Sequence, residues 1–253
     1  LESRLKGTPG SARLACWQAW SGEIFADLWG CLTLGPAFVG SLMDFLAIDR
    51  RLVENEIATD QDRYPATHLR IELCIEALGM LKESGQDFAI EQSKARTLWI
   101  DEYNSGSMSD FKQDVPFVVE AILGSRYSID GKDWLLTDIP DLRFTPADWG
   151  YAKNAAAEVL GGRLLESAVT APQLVAAARI LFEQDPAPYA QEKYDQAFAE
   201  HIQAIVQPGT RAGEAVLKEA EKEKLSEASF AFGKSWFKDF SRWAGASGAT
   251  GAE

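Results

Sequence analysis

Trp20 to Gly35 reads WSGEIFADLWGCLTLG, and from Ile24 to Leu34 every residue is apolar or small except Asp27 and Thr33. A helix that is apolar on all sides is enclosed by protein on all sides. The fold is therefore expected to be built around this segment. Glu23 and Asp27 stand four residues apart and share one helix face. Asp27 is expected inside the protein, where an isolated carboxylate is costly unless it is paired, hydrogen-bonded or bound to a metal. Gly30, three residues further on, lacks a Cβ and lets another backbone or helix approach. Two readings of the acidic pair stand side by side. Arginine answers it, with Arg50, Arg51, Arg63 and Arg70 available, or it faces a cation.

Working outward, the periodicity is helical almost everywhere, and no repeated Val/Ile/Thr alternation bounded by hairpin turns is found. The first helix is expected over about 11–34. Gly35 stops it in a left-handed conformation, and Pro36 opens the next helix, which runs to about Ile48. Residues 49–63 are polar, with a helical first half. Pro65 opens a helix through about Lys82, closed by Gly85, and Ile90 to Tyr103 forms another. NSGSMSD at 104–110 is a loop by composition. Asp110 to Leu123 reads as one helix with Gly124 as its stop, and 125–144 as irregular. Thr145-Pro146-Ala147-Asp148 is a helix start: a hydroxyl acceptor, a residue with no donor to satisfy, and a carboxylate at the positive end of the dipole. That helix should end at Gly161-Gly162. Further helices are expected over Ala171 to Gln184, Tyr189 to Gln207 and Thr210 to Trp243, with a disordered tail at 245–253. The fold class is all-α. The expected divisions are 1–104, a connecting segment 105–145, a helical C-terminal region 146–244, and the tail.

The chain of 253 residues carries 25 Lys+Arg against 38 Asp+Glu, a net charge of −13. A nucleic-acid partner needs a strong local basic patch to overcome that field, and none is visible. The apolar stretch Ile24 to Leu46 is broken by Asp27, Gly35-Pro36 and Asp44, too often for a membrane span. Cys16, Cys31 and Cys74 cannot all pair and have no CxxC spacing, and no secretory signal is seen; a reduced, cytoplasmic setting is expected.

The ordered combination EIFAD (Glu23 to Asp27), LGPAF (Leu34 to Phe38) and RYPATHLRI (Arg63 to Ile71) resembles gluzincin zinc metallopeptidases, in particular a group of bacterial HExxH proteins. The resemblance covers roughly residues 11–82. It implies that these residues are the second half of a gluzincin module, with the helical C-terminal region appended. It implies that Glu23 is the third zinc ligand and that Asp27 orients a liganding histidine. It places Tyr64 and Arg70 near the active site, where either stabilises a developing oxyanion. It implies a peptide or protein substrate. The chain departs from the family in having no H-E-x-x-H: its only histidines are His68 and His201. Since the sequence opens on Leu1, the expectation is that the HExxH helix precedes it in a longer protein. The alternative is a degenerate member that works as a helical scaffold or interaction protein.

For Arg70, a salt bridge to Glu23, Asp27 or Glu72 stands beside the active-site role. His68 is either a metal ligand or a core histidine, and His201 sits beside the apolar positions Tyr194, Phe198, Ile202 and Ile205. The cysteines read as small buried hydrophobes. Glu214 to Lys224 is a solvated charged face. In Leu225 to Trp243, positions 225, 232, 236, 240 and 243 put Leu, Phe, Trp, Phe and Trp near one face, while Lys234, Lys238 and Arg242 line another. That stripe suits a membrane surface, a protein partner, or the body of this same chain. Gly161-Gly162 lacks the phosphate-loop pattern.

Overall fold

The computed structural model describes residues 11–47, 53, 64–83, 85–100, 103, 108–129, 132–139, 142–161, 170–184 and 186. Among them the chain is all-α: eight helices and one two-stranded hairpin. The helices are α1 (Ser11–Leu34), α2 (Pro36–Leu46), α3 (Thr67–Met80), α4 (Ala89–Ile100), α5 (Ser109–Lys112), α6 (Val115–Leu123), α7 (Pro146–Leu160) and α8 (Ala171–Gln184). The helices expected over 189–207 and 210–243, the tail, and all of the helical half of 49–63 but the helical, buried Val53 lie outside the described residues.

One hydrophobic cluster runs from Cys16 of α1 to Leu181 of α8. Its centre is α1 against α3, with Trp20, Ile24, Leu28 and Leu32 facing Leu69, Leu73 and neighbours, all fully buried. Each such aliphatic side chain contributes roughly 1.5–3 kcal/mol by leaving water. Around this pair, α2 packs on α1 and α3, α4 and α6 pack on α3, and α8 packs on α2, α1 and α7.

The corner between α1 and α2 is one residue long. Gly35 takes φ +55° and donates to the Cys31 carbonyl at 2.8 Å, and Pro36 opens α2. A Cβ on Gly35 would meet the ring of Phe144. The amide of Phe144 also donates to the carbonyl of Leu32 at 2.7 Å, which satisfies part of the frayed end of α1. The start of α7 follows its sequence. The Thr145 hydroxyl accepts from the Asp148 amide, and the Asp148 carboxylate accepts from the Thr145 amide, a reciprocal capping box.

Two sequence expectations are corrected. The single helix Asp110 to Leu123 is broken into α5 and α6. Pro116 has no N–H to give the Lys112 carbonyl, so the helix cannot run through Gln113 and Asp114. The irregular stretch 125–144 contains a hairpin, β1 (Arg126–Ile129) against β2 (Lys132–Leu135), antiparallel, with Tyr127 opposite Trp134. Asp130-Gly131 stands between the strands in sequence, the residue pair that a two-residue hairpin loop prefers.

Candidate functional site

Asp27 is 3% exposed, in the middle of α1. Its partner comes from the first turn of α3. Arg70 Nε donates to Asp27 Oδ2 and Arg70 Nη2 to Asp27 Oδ1, both at 2.8 Å, in a fork-on-fork geometry. The same Nη2 lies 2.8 Å from Glu23 Oε1. Of the four arginines that the sequence offers, Arg70 is the one among the described residues, and it answers the acidic pair across 43 residues of sequence; Arg50, Arg51 and Arg63 lie outside them. Burial works against its charge, but the hydrogen bond and charge of Asp27, together with the charge of Glu23, outweigh it and hold the guanidinium pKa above its ordinary value.

Glu23 is placed differently from Asp27. Its side chain is 29% exposed against 4% for Asp27. Its contact with Arg70 is made through Oε1. Along the same side of α1, Ala19, Gly22 and Ala26 are exposed, and a Cβ built on Gly22 meets nothing within 4 Å. Glu23 therefore stands at the edge of an open strip of small residues. Gly30 behaves otherwise. What approaches it is the ring of Phe38 in α2, so close that a Cβ there would collide.

Behind the acidic pair, Cys31 of α1 and Cys74 of α3 are fully buried free thiols. Contact with Cys31, burial and the nearby charge of Asp27 push the Cys74 thiol well above its ordinary pKa, so it is an inert proton-bearing thiol.

The structure places the remaining expected residues as follows. Tyr64 is 49% exposed, before α3. His68 is fully buried, and its Nε2 lies 2.6 Å from Glu72 Oε1, one turn along α3. Glu72 also meets Lys112 of α5 at 3.3 Å. Burial works against the Glu72 charge, but His68 and Lys112 outweigh it and hold the carboxyl below its ordinary pKa. His68 is thus a core histidine paired with Glu72; its Nδ1 has no hydrogen-bond partner among the described residues. His201 lies outside the described residues. The sequence reading missed Asp114, 3% exposed, which accepts from Trp17 Nε1 at 2.9 Å and pairs with Arg13 Nε at 2.8 Å. Its only signal was its place just before Val115-Pro116.

Zinc takes three protein donors and an open position in a catalytic site. Among the described residues no three of His, Cys, Asp and Glu gather in a group able to hold a metal ion. The described residues by themselves do not fit zinc; Glu23 is a single donor. What Arg70, Asp27 and Glu23 do on their own is fix a carboxylate at the surface of a rigid helix. The molecule belongs to the all-α class by its fold, and no helix among the described residues is long and apolar enough to cross a membrane. Comparison with known families, with curated proteins and with solved structures finds no match to this chain.

Proposed function

We propose that this chain is the second half of a zinc-peptidase module, presenting Glu23 as one metal donor to a pair of histidines carried on an H-E-x-x-H helix outside this sequence. The observation that carries the reading is the unequal treatment of the two carboxylates. Asp27 is buried and held by two bonds from Arg70, whereas Glu23 meets Arg70 through Oε1 and stands partly exposed beside a strip of small residues. Small residues let a second helix come close enough for its side chains to reach a neighbour's. Arg70 serves here as a positioning residue, fixing Asp27 and one oxygen of Glu23. Tyr64, exposed at the entry to α3, is the remaining candidate for contact with a peptide substrate. We place the chain in the cytoplasm, where the buried thiols of Cys31 and Cys74 stay reduced.

The test is the reading frame preceding the Leu1 codon. An H-E-x-x-H within it, and a longer protein that purifies with one zinc per chain, support the proposal. In that protein Glu23→Gln is expected to lower zinc affinity at least about tenfold, the usual order for losing part of a ligand set. Unchanged zinc content in Glu23→Gln, or a longer protein that binds no zinc, overturns it. The second reading, a helical scaffold with a degenerate site, is favoured by one feature: Arg70 already neutralises much of the acidic pair.

A further inference from the structure

A cleft of about 660 Å³ opens between α2, α4, α7 and α8. Val39, Met43, Ile90, Leu98 and Ile180 give it apolar walls, with Trp149 alongside. Ile90 is 80% exposed and Leu98 56% exposed, large aliphatic groups left facing water. The charges at the rim are mostly engaged with one another. Lys94 meets Glu183 at 2.8 Å, and Arg179 meets both Glu183 and Asp44. Glu91 accepts from Trp149 Nε1. Such a cleft recognises an apolar face rather than an ion.

Where the chain leaves the described body narrows the choice of occupant. Glu183, Gln184 and Pro186, at the end of α8, line the same cleft, and residues 187–253 follow directly. That length of chain contains Leu225 to Trp243, with Leu225, Phe232, Trp236, Phe240 and Trp243 at helical spacing. Anchors at i, i+4 and i+7 are the pattern by which an amphipathic helix fills an apolar groove. We propose that the aromatic stripe of Leu225–Trp243 docks in this cleft of its own chain and covers Ile90 and Leu98. The proposal is independent of the peptidase reading, since Glu23 lies on α1, whereas the cleft is walled by α2, α4, α7 and α8.

The test uses the full chain carrying Leu98→Cys and Trp236→Cys under mild oxidation, with peptide mass analysis. The three native cysteines are buried and do not compete. The control pair replaces Leu98→Cys by Phe117→Cys, on α6 and 46% exposed. An intrachain link at least about tenfold more abundant than in the control is expected, as for tethered groups held together at high effective concentration. Links only between copies, equal yields in the two pairs, or no link overturn the proposal. A second measurement avoids new cysteines. Trp236→Asp is expected to speed amide hydrogen exchange in α4 about tenfold with the helical signal of the chain retained; unchanged exchange overturns it.

Discussion

Replacing Arg70 by methionine leaves Asp27 as an uncompensated carboxylate that is 3% exposed. Both fork bonds at 2.8 Å are lost together with the guanidinium charge that faces it. Breaking a buried pair by removing one partner costs roughly 3–5 kcal/mol. At roughly 2–4 °C per kcal/mol for a chain of this size, the melting temperature falls by about 6–20 °C. Asp27→Leu is milder, about 1–3 kcal/mol, because Arg70 keeps Glu23 and is itself 13% exposed. The double variant Arg70→Met, Asp27→Leu removes both charges and fills the space with apolar atoms. It is expected within about 1 kcal/mol of the parent, since such replacements are commonly neutral or stabilising. The assay is urea unfolding of all four proteins, read as a double-mutant cycle with a coupling energy of about 3 kcal/mol or more. Additive losses, or an Arg70→Met protein within about 1 kcal/mol of the parent, refute the picture of a buried carboxylate dependent on one guanidinium.

Gly35→Ala places a Cβ against Phe144 at φ +55°, and a loss of about 1–3 kcal/mol is expected in thermal melts. Glu72, held below the ordinary carboxylate pKa when folded, binds fewer protons in the native than in the unfolded state at mildly acid pH; its stabilisation is full above the unfolded value and fades as pH falls. Glu72→Gln is therefore expected to flatten the loss of stability on acidification, measured as denaturation midpoints through the acid range. Cys74 works in the other direction. Its native thiol keeps a proton that the unfolded thiol sheds above about pH 8.5, so stability declines as pH rises through that range. Cys74→Ala is expected to reduce that alkaline decline, and a thiol reagent is expected to label Cys31 and Cys74 only as fast as the chain unfolds.

Features set by neighbours in sequence were legible before any coordinates. Gly35-Pro36 and Thr145-Pro146-Ala147-Asp148 act through local backbone chemistry, and both did what their residues require. The burial of Asp27 was legible in the apolar run around it, although α1 is not enclosed on every side: Ala26 is exposed, and Asp27 stands on the covered face. Its partner was not. Four arginines had the right charge, and it is the packing of α1 on α3, invisible in the sequence, that brings Arg70 to Asp27. The break at Asp114 was visible in principle, since Pro116 forbids a continuous helix. The strands escaped notice because four residues each carry too little alternation to stand out. The His68–Glu72 pair has the i,i+4 spacing of a helix contact, but spacing alone does not reveal that the ring is wholly enclosed.

A joint made from a single residue has no slack. One amino acid inserted at Gly35 would turn α2 by about 100° about its own axis, swinging the buried Val39 and Leu42 away from the interior. Lengthening at this elbow is therefore forbidden to the lineage. Gain and loss of residues must fall elsewhere, and versions of this protein separated by long divergence should keep the count of residues from Trp20 to Leu42 even where little else can be aligned.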